Sequence, residues 1–290
     1  MKIIYSAGNR IGANNILSQF LENNNEHEIK IAAYGISSYS IGLVDWFLDS
    51  IHIREFYNCP LYSIKYNLDH ISSILSDVIE FGPELIISDS ESLFGYIAHE
   101  LGIKLWYCSP LNLINGVDWN KERLRYSYIF NQYKNIVFPK ADKYLIYSPF
   151  CDILNSPKLN ENYEWVRPYY NNSYNVIIED NTRRVELNKI LKYVKLNDYS
   201  FTDGCTDSIS NLFYNSKKII ISPHVKNNEA LINSVLIDKY KIGYNVGQIE
   251  LMEMKAIEEL NKICNKKYND IEFNNTQHLQ LHEYIEKLKI

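Results

Sequence analysis

Short apolar runs alternate with amphipathic stretches along the whole chain. Lys2–Ser6 is such a run; Gly8 and Gly12 follow it, and the positions from about Ala13 to Leu21 predict a helix. Glu28–Ala33 predicts a second strand, and Ser37–Leu48, apolar at mixed spacing, predicts a helix. Leu68–Glu80 has helical spacing and is stopped by Phe81-Gly82-Pro83. Leu85–Ser88, Lys104–Cys108 and Tyr144–Ser148 predict strands, with helices at Ser92–Leu101 and Lys121–Asn135. Repeated β-α-β units with short buried strands predict a parallel sheet covered on both faces.

A second series begins after Trp165-Val166-Arg167-Pro168, with the polar stretch Tyr170–Tyr174 as linker. It predicts strands at Asn175–Glu179, Tyr199–Thr202 and Lys218–Ser222, with helices at Arg183–Leu196, Asp207–Tyr214 and Asn228–Lys239. Two more helices are expected at about Glu250–Asn265 and Thr276–Lys289. The fold class is therefore α/β, with two Rossmann-like domains, 1–168 and 169–290, facing across a cleft.

Composition narrows this picture. Hydrophobic residues make up 46% of the 290-residue chain and charged residues 22%, enough to bury a core. No apolar run is long enough for a transmembrane helix, and the start reads directly as a strand, so a cytoplasmic protein is expected. The sequons at Asn171 and Asn274 would then stay unmodified. Five scattered cysteines without a C-x-x-C pattern support neither a zinc site nor a disulfide framework. The net charge of −5 disfavours an extended nucleic-acid face, though a local basic patch stays open.

Polar loops end several of the strands, where α/β proteins place ligands. Ser6–Asn14 contains Gly8, Arg10 and Gly12 and opens a helix; it is either a ligand loop or an ordinary β-α turn. Ser88-Asp89-Ser90-Glu91 offers Asp89 as a general base, with Ser88 and Glu91 beside it. Alternatively Ser88 or Asp89 caps the next helix and Glu91 is a first-turn acid. In Asp203–Ser208, the N–H groups around Gly204 and Cys205 and the hydroxyls of Thr206 and Ser208 suit a diphosphate, or simply cap a helix. His224 and Glu229 lie in the loop after Pro223, where Glu229 suits ribose hydroxyls or a solvated first turn. His278 and His282 stand four apart on a helix without the H-E-x-x-H pattern of zinc enzymes. Ile41–Leu48, with Trp46 and Phe47, reads as core or as a surface for peripheral membrane contact.

These residues resemble the GT-B glycosyltransferases related to UDP-glycosyltransferases and lipid II-forming N-acetylglucosaminyltransferases. Leu85–Ile103 is similar to their "VVSDFEPLSALAARLLGIP" segment, Pro139–Phe150 to a following segment, and Val166-Arg167-Pro168 to their interdomain turn. Phe201–Gly243 resembles their donor-site signature through Asp203-Gly204, Ser208, Ser210, Pro223, Glu229, Asn233 and Gly243. The resemblance puts a diphosphate loop on Gly204, Cys205, Thr206 and Ser208, a donor-ribose or donor-sugar contact on Glu229, and a glycine loop on Gly8 to Gly12. The chain departs from the family where a loop histidine is replaced by Ala13 or Asn14, a second glycine by Cys205, and a helix glutamate by Asn211. The stretch between Val166 and Phe201 is also shorter than the family's, so one β-α unit of the nucleotide domain is expected to be missing.

The resemblance implies sugar transfer from a nucleotide diphosphate sugar to a hydroxyl acceptor, with no cofactor and no essential metal, and a C-terminal helix, Thr276–Lys289, that crosses back to the first domain. Lipid, protein, glycan and hydroxymethylated DNA base remain open as acceptors. The DNA option comes from short glycosyltransferases of AT-rich phages and is disfavoured by the acidic pI of about 5.8. The alternatives are a non-catalytic nucleotide or nucleotide-sugar binding protein and a structural partner of another glycosyltransferase.

Overall fold

The computed structural model describes residues 1–8, 16–17, 20–23, 26–34, 44–48, 71–91, 93–117, 119, 140–153, 158–168, 176–177, 191–196, 198–215, 218–224, 227–247, 253–265 and 278–289. The chain divides into two compact units. The first is 1–147, 158–167 and 278–290; the second is 148–157 and 168–277.

The described residues of the first unit form seven strands: β1 (Lys2–Ala7), β2 (Glu28–Tyr34), β3 (Trp46–Leu48), β4 (Leu85–Asp89), β5 (Lys104–Cys108), β6 (Lys143–Tyr147) and β7 (Tyr163–Val166). Their order is β3-β2-β1-β4-β5-β6-β7, and all adjacent pairs are parallel. β1 and β4 are buried on both faces, which is why they read as continuous apolar runs. Strand alternation then sorts the side chains. Ile4, Ala32, Tyr34 and Ile86 face α1 (Ile71–Phe81) and α2 (Leu93–Leu101) in one core with Ile74, Val78, Phe81, Leu93, Phe94 and Ile97. Tyr5 belongs to the opposite face, where its ring lies 5.2 Å from Phe20.

Helix ends follow the glycines. Gly82 stops α1 at φ +62°, with its N–H on the Val78 carbonyl, and Gly102 stops α2 at φ +66°. One predicted element changes type. Trp46–Leu48 is a strand rather than the end of a helix, because Trp46 and Leu48 are buried and Phe47 is exposed, the period of a pleat. Trp46 is held by a hydrogen bond from Nε1 to Asp77 Oδ2 on α1 (3.1 Å). The helix predicted at Lys121–Asn135 lies outside the described residues. So do the linker Tyr170–Tyr174 and both sequons.

The last helix of the chain belongs to the first unit. A 3-10 turn (Pro110–Asn112) runs into a short α3 (Leu113–Gly116), and three longer helices of the second unit precede the C-terminal one, which spans Leu281–Glu286. That terminal helix buries Leu281 and Ile285, and Tyr284 donates to the Trp165 carbonyl on β7 at 2.8 Å. The Arg167 N–H donates to the Leu279 carbonyl at 2.9 Å.

Among the described residues the second unit has a four-stranded parallel sheet of β8 (Val176–Ile177), β9 (Tyr199–Thr202), β10 (Lys218–Ile221) and β11 (Gly243–Asn245), in the order β11-β10-β9-β8. Helix α4 (Thr206–Tyr214) joins β9 to β10, and α5 (Asn228–Tyr240) joins β10 to β11. Helix α6 (Glu253–Cys264) follows, and its Leu260 and Cys264 pack on Tyr199, Phe201 and Ile220. The segment Ser148–Pro157 joins this unit through Phe150, whose ring meets Phe213 edge-on, and through Asp152, which accepts a hydrogen bond from the Tyr214 hydroxyl. Segment 178–198 is long enough for one crossover between the neighbouring strands β8 and β9 and too short for two. The described sheet accordingly steps in one direction without reversing.

Candidate functional site

In the first sheet the strand order reverses between β1 and β4, since β1 leads outward through β2 and β4 leads the other way through β5. Loops on either side of such a switch point leave in opposite directions and open a crevice at the carboxyl ends of the strands. Gly8 and Asp89 meet there. The Gly8 N–H donates to the Asp89 carbonyl at 2.8 Å. A Cβ on Gly8 would lie 2.6 Å from the Asp89 carbonyl oxygen and 2.9 Å from that of Ser90, so only glycine lets the two strand ends approach this closely. Arg10 and Gly12 lie outside the described residues.

The two carboxylates of this loop have separate surroundings. Register pairs Tyr5 with Ile87 and Ala7 with Asp89, so Tyr5 and Asp89 share a face. The Tyr5 hydroxyl donates to Asp89 Oδ2 at 3.0 Å, and the Ser90 hydroxyl reaches Oδ1 at 3.1 Å. Ser90 adopts φ +57°, holds its N–H on the Cys108 carbonyl, and places its Oγ 3.2 Å from Ser109 Oγ at the end of β5. Asp89 is fully buried.

Glu91 serves the other face. Its Oε2 accepts from the Leu93 N–H (2.7 Å) and the Tyr34 hydroxyl (3.2 Å), and its Oε1 from the Phe94 N–H (3.0 Å). Ser88 donates to the Glu91 carbonyl at 2.6 Å and lies 3.1 Å from Oε1. The Glu91 carboxyl thus caps α2 and Ser88 secures the turn, a use of both side chains inside the fold. Burial pushes the Glu91 carboxyl above the usual carboxylate range, against the opposing pull of hydroxyl and helix N–H donors. A carboxyl whose folded pKa is raised holds its proton more tightly in the folded state. Its contribution to stability is therefore full at acid pH and declines as pH climbs from the ordinary carboxylate range through the raised value. Denaturant titrations across that interval should show this decline in the parent chain and its loss in Glu91→Gln.

The second unit gathers a polar cluster at the carboxyl ends of β9 and β10. Gly204 has φ +98°, and a Cβ there would lie 2.5 Å from Ile221 Cδ1. Cys205 is the N-cap of α4 but makes no side-chain capping bond. The Thr206 N–H instead donates to Glu229 Oε1 at 2.6 Å. Asn227 Nδ2 lies 3.3 Å from Cys205 Sγ, and Asn233 Nδ2 donates to the Gly204 carbonyl (2.9 Å) and to Thr206 Oγ1 (3.2 Å). Thr206 and Ser208 are fully buried in the first turn of α4. His224 is half-buried, and its carbonyl accepts the Asn227 N–H at 2.9 Å. The structure thus brings Gly204, Cys205, Thr206 and Glu229 together, with His224 in the adjoining turn.

Sequence reasoning did not single out Tyr5, Tyr34, Ser90, Ser109 or Asn227 as site residues. Tyr5 could have been found from strand alternation, two residues before Ala7 on the same face. Ser109 could not, because its place beside Ser90 depends on β4 pairing with β5. Among the described residues no group of three or more His, Cys, Asp and Glu side chains could hold a metal ion, His278 and His282 included. No helix among them is long and apolar enough to cross a membrane.

The first unit is an α/β domain with polar residues at the switch point of its parallel sheet. No protein-family model matches the chain, and no curated protein matches it by sequence. Solved structures do. The glycosyltransferase SsfS6 of Streptomyces sp. SF2575 matches at TM-score 0.55 and 12% identity over 100% of both chains. The calicheamicin glycosyltransferase CalG4 matches at TM-score 0.62 and 8% identity over 92% of this chain and 90% of its own. The spinosyn rhamnosyltransferase SpnG, complexed with thymidine diphosphate, matches at TM-score 0.58 and 10% identity over 91% and 90%. The chain has the GT-B glycosyltransferase fold.

Proposed function

We propose that this protein transfers a sugar from a nucleoside diphosphate sugar to a hydroxyl acceptor. The observation that carries the reading is the convergence of Gly8 and Asp89 at the switch point of a sheet whose fold is that of glycosyltransferases. Asp89 acts as general base. The acceptor hydroxyl takes the place of the Ser90 hydroxyl at Oδ1, while Tyr5 keeps Oδ2 oriented. The acceptor oxygen bonds to the sugar's anomeric carbon as the bond to the diphosphate breaks. The acceptor proton passes to Asp89, and the nucleoside diphosphate leaves with the bonding pair. Within the second unit, the loop Gly204–Ser208 and the start of α4 offer N–H groups of the kind that hold a diphosphate.

Two solved relatives by fold, SsfS6 and SpnG, hold thymidine diphosphate, so that nucleotide is the first probe. A ligand present at about a hundredfold excess over Kd adds roughly 2.7 kcal/mol to folded-state stability. For a chain of this size that is a rise of about 5–10 °C in Tm. Thermal melting with thymidine, uridine and guanosine diphosphates and their sugars should show such a rise for at least one of them. No shift across the panel would end the donor assignment.

One observation favours a second reading, a non-catalytic nucleotide-sugar binding protein: Asp89 is fully buried, with both carboxylate oxygens already hydrogen-bonded. Mass spectrometry of the protein incubated with nucleotide sugars separates the two. Release of free nucleoside diphosphate marks turnover, and a stable complex without release marks a binding protein.

A further inference from the structure

The start of α4 is already occupied by an anion, and the anion belongs to the chain. Helix N-termini leave N–H groups without intrahelical partners, and the N-cap side chain normally takes one of them. Cys205 does not. Glu229 reaches across from the first turn of α5 and accepts the Thr206 N–H at 2.6 Å. Its own helix does not need it for this purpose, because Asn227 caps α5 by accepting the Ala230 N–H at 3.1 Å. Glu229 is half-buried, on a long side chain with several rotatable bonds.

A second, independent feature stands beside it. Asn233 is fully buried, and its Nδ2 is committed to the Gly204 carbonyl and Thr206 Oγ1. The Oδ1 of the same amide has no partner among the described residues. A buried acceptor left without a donor is costly and calls for an explanation. A ligand that brings anionic oxygens to the helix end and a hydroxyl donor to Asn233 would satisfy both groups, and a nucleoside diphosphate sugar carries both.

We propose that Glu229 is a built-in counter-anion for α4, displaced when a nucleoside diphosphate takes the Thr206 N–H, and that it sets donor affinity by competing for that place. This rests on the donor reading above but reverses the sign expected if Glu229 were a direct holder of ribose or sugar hydroxyls. A hydroxyl-holding carboxylate adds affinity, whereas a competing carboxylate subtracts it, and two anions at one helix end repel.

The test is calorimetric titration of the full chain with thymidine diphosphate, uridine diphosphate and inorganic pyrophosphate. Glu229→Gln keeps an acceptor for the Thr206 N–H and removes the charge, so it should bind the tighter of the two nucleotides about tenfold more strongly than the parent, with pyrophosphate gaining as well. Asp207→Asn serves as the control for charge alone, since Asp207 lies in the same first turn of α4; it should give a smaller gain. Unchanged or weaker binding in Glu229→Gln overturns the proposal and leaves the donor reading standing. Equal gains in the two variants overturn it too, because they reduce the effect to net charge. Binding by neither parent nor variant removes the donor reading and this proposal together. Should Glu229→Gln not fold, Glu229→Ala takes its place; failure of both to fold also overturns the proposal, since the carboxylate is then a structural requirement.

Discussion

Asp89→Asn is expected to lower sugar transfer by about 10²- to 10⁴-fold, the range for loss of a positioned general base, while the chain stays folded. The substitution keeps one acceptor oxygen and exchanges the other for an amide donor. Two partners of Asp89 are the hydroxyls of Tyr5 and Ser90, and a hydroxyl turns to accept as readily as it donates. The stability change should therefore stay near 1 kcal/mol, the scale of one adjusted hydrogen bond. Rates of nucleoside diphosphate release, measured beside thermal melting, check both halves. A folded variant with undiminished transfer would remove Asp89 from the chemistry.

Gly8→Ala should do damage of a different kind. The added methyl carbon meets the Asp89 and Ser90 carbonyl oxygens at 2.6 and 2.9 Å, and both belong to backbone. Neither can turn aside, so the ends of β1 and β4 must part. The Gly8 N–H bond to the Asp89 carbonyl, 2.8 Å long, lengthens or breaks as they do. Overpacking of this kind costs about 1–3 kcal/mol. A displacement of about an ångström at a catalytic group is enough for a roughly hundredfold loss of rate. Denaturant melts should show the destabilisation and steady-state assays the rate loss. If Gly8→Ala melts and turns over like the parent, the two strand ends do not depend on this close approach.

Much of the fold was legible because its strands are buried on both faces and its helices carry regular stripes. Lys104–Cys108 and Tyr199–Thr202 fall where the pattern puts them, and α2, α4 and α5 fall within about a residue. Three short strands were not legible. β3 was read as helix because three residues at a sheet edge give too few positions to fix a period, and β7 and β11 carry mixed polar and apolar residues at their ends. The site was half legible. Asp89, Gly8 and Gly204 were visible as polar or glycine positions ending apolar runs, but their partners came from elsewhere in the chain. Nothing local to Thr206 says that Glu229 will take its N–H, and nothing local to Glu91 ranks the helix cap above a ligand contact.

The sequence by itself determined that this is an α/β chain of repeated strand–loop–helix units, with its polar chemistry at strand ends. That follows from periodicity and from glycine, which are properties of neighbouring residues. Only the tertiary structure decided that β1 and β4 are adjacent, which turns Gly8 and Asp89 into one site. It also decided that Asp89 and Glu91 serve opposite faces. These are outcomes of strand order and register, set by the packing of the whole sheet rather than by any stretch of residues alone.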